Sequence, residues 1–144
     1  MKLCITFVFA VLVFTGCDET KKVIDVAGNV QLSGAYKISS LNNYAVSENA
    51  PTISFFALDN TIRGNTGCNS FFGKYALDLY AISFSDVGST EISCDAPIME
   101  VEIAFMNALR DAGSYDIENS VLTLYSKADR SIILVAIKDR TAEN

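Results

Sequence analysis

From Leu32 onward, apolar and polar side chains mostly alternate with a period of two, the pattern of half-buried strands. "GAYKISSL" sets Tyr36 and Ile38 on one face. "TISFFAL" sets Ile53, Phe55 and Ala57 against Ser54 and Phe56. "NTIRGN", "CNSFFGKYAL", "DLYAISFSDV", "SVLTLYS" and "RSIILVAIK" continue the rhythm. Turn residues punctuate it at Asp59-Asn60, Gly73-Lys74, Asp86 to Ser89, Glu118-Asn119 and Ala128-Asp129. One stretch changes period. In "DAPIMEVEIAFMNALRDAG" (95–113), Ile98, Val101, Phe105, Ala108, Leu109 and Ala112 recur at three- and four-residue spacing, which predicts a helix. Asp95 is placed to cap it, Pro97 fits its first turn, and Gly113 can end it in the left-handed conformation. The predicted fold class is α+β: mostly antiparallel strands curled into a small barrel-like sheet, which removes its edges, with one helix before the last two strands.

The start of the chain follows another pattern. Lys2 precedes the continuous apolar run "LCITFVFAVLVFT". That run is short of the roughly 20 residues a membrane-spanning helix needs and has the shape of a secretory signal. "FTGC" then resembles the bacterial lipobox, with Phe14 where that motif usually has Leu. The resemblance implies cleavage after residue 16, a diacylglycerol thioether on Cys17 and attachment to a membrane through the lipid; an ordinary signal peptide with Cys17 as a bystander is the alternative. Residues 17–31, "CDETKKVIDVAGNVQ" with the cysteine, show no sustained period and are expected to form a flexible tether. The domain is expected over 32–138, with a short tail over 139–144.

Composition narrows the function. In 144 residues there is room for one domain, and half of the residues are apolar. Without Lys2 the chain has ten basic residues against seventeen acidic ones, a net charge near −7, which excludes nucleic acid as a partner. Removal of Cys4 with the signal and lipidation of Cys17 leave Cys68 and Cys94. In an oxidising compartment these two form a disulfide; otherwise they are two buried thiols. The sequence contains no histidine, which removes Ser-His-Asp and Cys-His catalysis and the usual zinc ligands. Only Arg63 and Lys74 lie near enough in sequence to activate Cys68 as a nucleophile. Glu100 and Glu102 diverge on a helix; Glu102 fits an inward, strand-capping role. Asp116 and Glu118 share a solvated strand face, and Asp78 with Asp86 is the carboxylate pair that folding could assemble. Neither an enzyme nor a metal or cofactor site is expected.

"GNTGCNSFFGKY", "STEISC", "MEVEIAFMNAL", "YDIENSVLTLY" and "SIILVAI" follow one another in an order and spacing similar to the META domain, the family of the heat-shock protein HslJ. The resemblance spans about 32–137, with Tyr36 where the family usually has Trp. It implies that Gly67, Asn69 and Gly73 are an architectural signature. It also implies that Cys68 meets Cys94 just before the helix, so that the cysteine turn holds the chain in place. Two functions follow. The first is a monomeric, lipid-anchored envelope domain that binds a protein, most concretely as a peptidase inhibitor. Its candidate contacts are Asn65 and Thr66, Ser93 and Asp95, and the Pro51 loop. The second, implied by the resemblance, is a structural protein of envelope stress or drug tolerance, with a small apolar-ligand carrier as a variant. The carrier is disfavoured because Phe55, Phe56, Phe71, Phe72, Tyr80 and Phe84 are expected to fill the interior. The location is extracytoplasmic: the outer membrane or cell surface is expected, while Asp18 after the lipid cysteine resembles an inner-membrane retention signal.

Overall fold

The computed structural model describes residues 17–46 and 48–143; the expected signal segment lies outside them. Helix α1 (Cys17–Leu32) leads into β1 (Gly34–Leu41), the two-residue β2 (Tyr44–Ala45), β3 (Thr52–Phe56), β4 (Thr61–Asn65), β5 (Ser70–Asp78) and β6 (Ala81–Ser89). Helix α2 (Ala96–Asp111) follows, then β7 (Ala112–Glu118), β8 (Val121–Ser126), β9 (Ile132–Lys138) and a 3-10 turn, Arg140–Glu143. Every pairing is antiparallel. Strands β1, β3, β4, β5, β6, β7, β8 and β9 pair in that order, and β9 returns to β1, so eight strands close into a barrel with β2 hanging on β1.

The alternation drives the closure. In β5, Phe71, Gly73 and Tyr75 point inward while Ser70, Phe72, Lys74 and Ala76 face water. Ile53, Ile62, Leu122 and Leu124 of other strands are buried in the same interior. Phe55 is the hub: its ring meets Tyr36 at 5.8 Å and Tyr75 at 5.3 Å, both edge-on, and Phe84 at 6.2 Å. Tyr36 is fully buried. Of the six aromatics expected inside, Phe56, Phe72 and Tyr80 are exposed instead. Phe56 and Phe72 are the outward members of their Phe-Phe pairs, and Tyr80 sits on a hairpin tip.

The barrel's weak seam is between β6 and β7, where Ala81 opposite Ser114 is the sole register pair. Helix α2 leaves the sheet at that seam. It packs against β1, β6, β8 and β9 and buries Phe105, Ala108 and Leu109. Phe105 meets Phe71 at 5.1 Å, so the helix plugs the barrel with the stripe its periodicity predicts.

Five local expectations are corrected. Residues 17–31 are helical, not a flexible tether: Asp25 accepts a hydrogen bond from the Leu79 N–H at 2.8 Å, and Lys21 pairs with Asp78 at 2.9 Å. The contacts that hold it to the barrel are polar, while Val23, Val26 and Val30 face away, so no buried stripe marked the helix as part of the fold. Gly73-Lys74 is strand, not turn; the hairpin turn falls at Leu79, with φ 57°. Asp86 to Ser89 is a bulged stretch of β6, Asp86 taking φ 52°. Three strands follow α2, not two, because β7 begins at Ala112 in extended conformation; no left-handed Gly113 ends the helix. Asp95 occupies the N-cap position without a side-chain capping bond.

Burial, with the nearby Asp59 charge, pushes the Tyr75 phenol up to about 12 from the ordinary 10.0, and its buried hydroxyl has no hydrogen-bond partner among the described residues. The folded state therefore holds this proton more tightly than the unfolded chain does. Its contribution to stability is complete below the unfolded value near 10.0 and is lost as pH rises towards about 12. Half-buried Tyr115 shifts in the same direction, through burial first and then Asp25 and Tyr80. Tyr75→Phe is expected to raise stability at neutral pH by about 1 kcal/mol and to flatten part of the alkaline decline, read by urea unfolding at pH 8 and pH 11.

Candidate functional site

Thr66, Gly67, Cys68 and Asn69 form a tight turn between β4 and β5. The Thr66 N–H donates to the Asn69 carbonyl at 2.7 Å, and the Asn69 N–H returns a bond to the Thr66 hydroxyl at 2.8 Å. The Asn65 side-chain oxygen accepts the Gly67 N–H at 2.7 Å. Gly67 has φ +97°, and a Cβ there would lie 2.4 Å from the Asn49 carbonyl oxygen, so no other residue fits without movement. At the strand glycine Gly64 a Cβ would lie 1.9 Å from the Thr52 oxygen.

The Asn69 side chain, 1% exposed, uses all of its hydrogen-bonding groups. Its oxygen accepts the Ile92 N–H at 2.7 Å and the Thr90 hydroxyl at 2.8 Å. Its nitrogen donates to the Ile92 carbonyl at 3.1 Å and to the Glu102 carboxylate at 2.9 and 3.1 Å. To Ile92 the carboxamide presents the donor–acceptor pair of a neighbouring strand. Buried Thr66 also donates its hydroxyl to Glu102. The Thr90 N–H donates to the Ser70 carbonyl at 3.0 Å, and the Thr90 hydroxyl accepts the Ser70 N–H at 3.2 Å. Two residues beyond Ile92, Cys94 is disulfide-bonded to Cys68, with a Cα–Cα distance of 6.0 Å. One turn therefore ties β4, β5, residues 90–94 and α2 together.

The expected site residues separate accordingly. Gly67, Asn69, Cys68 and Cys94 come together as the fold signature implies, and Glu102 points inward to them. Gly73 lies apart, inside the barrel wall against Val87. Among the candidate contacts, Asn65, Ser93 and Asp95 are exposed, but Thr66 and Pro51 are buried and cannot touch a partner. Thr66 is consumed by the turn and the Glu102 bond; the Pro51 carbonyl accepts the Ile38 N–H at 2.9 Å. The residue that sequence reasoning missed is Ile92. Its side chain is 60% exposed although its backbone is fixed on both sides. Its signal was present: a lone aliphatic residue within the polar "STEISCD".

Asp78 pairs with Lys21 and Asp86 with Lys74 at 3.0 Å, so the two carboxylates serve different lysines. Among the described residues, no three Cys, Asp or Glu side chains gather to hold a metal. An open groove of about 750 Å³ on the outer face of β4 and β5 is lined by Arg63, Phe72, Lys74 and Asp86, outside the packed interior. Arg63 lies over the Phe56 ring at 5.5 Å.

Asn69→Leu keeps the branching and heavy-atom count of the side chain but strips Ile92, Thr90 and Glu102 of their common partner. It is expected to cost about 3 kcal/mol, read by urea unfolding. Opening the disulfide, which spans a separation of 26 residues, is expected to cost about 3.5 kcal/mol by the chain-entropy relation. Because both act on one node, the double change should cost less than the sum.

No curated protein matches the chain. Among solved structures, a protein from Burkholderia xenovorans determined by NMR is 22% identical with a TM-score of 0.65, covering 80% of this chain and 88% of that one. A second protein determined by NMR is 23% identical with a TM-score of 0.62, over 76% and 93% of the two chains. The crystal structure of a DUF4847 family protein from Bacteroides vulgatus is 13% identical with a TM-score of 0.58, over 79% and 98%. At these identities the likeness establishes the fold. The META domain family matches residues 29–139, which include the whole barrel, α2 and the asparagine node; the chain belongs to the META domain family.

Proposed function

We propose that this META domain is a non-catalytic, lipid-anchored binding module of the bacterial envelope that offers residues 90–95 to a protein partner, most concretely a peptidase that it inhibits. The observation that carries this reading is Ile92. An exposed aliphatic side chain sits on a backbone whose N–H and C=O are both held by a buried carboxamide, with a disulfide two residues on. Such a loop loses little conformational entropy on binding, because the fold has already ordered it. Ile92 is the anchor for an apolar pocket, and exposed Ser93 and Asp95 form the polar rim. The disulfide suits an oxidising compartment, in keeping with an extracytoplasmic domain held by a lipid on Cys17 at the outer membrane or cell surface.

The test is affinity capture from envelope and secreted fractions with oxidised protein, reduced protein and Ile92→Asp. A peptidase retained and inhibited by the oxidised protein, with binding weakened roughly 100-fold by Ile92→Asp at unchanged melting temperature, supports the reading. Equal capture by the variant moves the interface off this loop. No capture by any form returns the protein to the structural, envelope-stress role.

A further inference from the structure

Helix α1 packs on the barrel with the wrong side for a water-soluble helix. Its barrel-facing side consists of Lys21, Asp25, Gly28, Asn29 and Leu32: the lysine bridges to Asp78, the aspartate takes the Leu79 N–H, and Gly28 lies against Leu77 and Tyr115. The valines point away, and of the larger aliphatic residues only Leu32, at the end of the helix, is buried in the core. Val23 is 67% exposed, Val26 56% and Val30 68%, with Ala27 exposed among them. Spacings of three, four and seven residues place them on one face, the apolar stripe that a soluble helix turns towards its core.

We propose that this face lies on the surface of a lipid bilayer, making α1 an interfacial helix continuous with the lipid anchor; the proposal rests on the reading that Cys17 carries lipid. Cys17 is the first residue of the same helix. Val23 to Val30 follow within about 9–20 Å along its axis, so acyl chains at Cys17 confine the stripe to the neighbourhood of the membrane. The tip of the β5–β6 hairpin, bonded to α1 through Asp25, adds exposed Leu79 and Tyr80, and tyrosine is a residue of membrane–water interfaces. The net negative charge of the chain leaves apolar insertion as the attraction. Three valines and an alanine are also too small a surface for a stable dimer, which needs about 600 Å² from each copy.

The orientation that follows deepens the functional reading. Strand β6 runs from this hairpin to Ser89, and the Ile92 loop comes directly after it. Eight residue steps of strand are about 26 Å, so the braced loop stands at the barrel end away from the lipid.

The experiment uses the mature, lipid-bearing protein in phosphatidylcholine vesicles, with an environment-sensitive fluorophore on Val30→Cys or, on α2, on exposed Ile103→Cys. Nitroxide-labelled lipids should quench the position-30 probe roughly two-fold and leave the position-103 probe unchanged. Val23→Asp with Val26→Asp should release the position-30 probe into water while the lipid keeps the protein on the vesicles. A water-exposed, unquenched position-30 probe, with the lipid on Cys17 confirmed by mass, overturns the inference but leaves the anchor standing. A mass without lipid refutes the anchor. The unlipidated protein then decides the face alone: quenching at position 30 upholds it, and no vesicle binding overturns it. Self-association that hides position 30 from vesicles assigns the face to a second copy and also overturns it.

Discussion

The buried carboxamide of Asn69 cannot be left unpaired, and much of the surrounding chain is arranged to pair it. The buried Asn69 carboxamide has two donors and an acceptor oxygen with two lone pairs. Each is met, by Thr90 and Ile92 of one segment and by Glu102 of α2. Away from water an unmet amide is costly, so the turn, the 90–92 segment and α2 are locked into one relative placement. The disulfide closes the same region covalently.

That node also lies where the barrel would otherwise be open. Strands β6 and β7 barely pair, and the chain between them makes the 90–95 loop and the helix that plugs the interior with Phe105. Glu102 joins the two halves of this insertion: it is three residues before Phe105 on α2 and reaches the carboxamide that holds Ile92. The position of the exposed isoleucine is therefore set by the packing of the core and not by the loop alone.

The barrel and α2 were legible because their signals are periodic. Alternation in "SFFGKYA" and "VLTLYS" and the helical spacing of Phe105, Ala108 and Leu109 all reappear as burial. What was not legible depended on single contacts. Helix α1 is held by Asp25, Lys21 and Gly28, so its sequence looked like a polar tether. Gly73 resembled a turn residue, yet it lies in the strand wall. The Gly-Cys-Asn turn was legible as architecture through its resemblance to the family. That Thr66 is buried followed only from the hydrogen bonds around Asn69, and they turn Ile92, a lone aliphatic residue in a polar stretch of sequence, into a fixed projecting side chain.

The central claim is that Ile92 is displayed by a rigid backbone held by Asn69. Amide hydrogen exchange at Ile92 tests it most directly. The Ile92 N–H should exchange as slowly as the amides of the barrel strands, and Asn69→Ala should free it while the strands stay protected. An Ile92 amide that exchanges at the rate of an unstructured surface loop in the native protein would contradict the account.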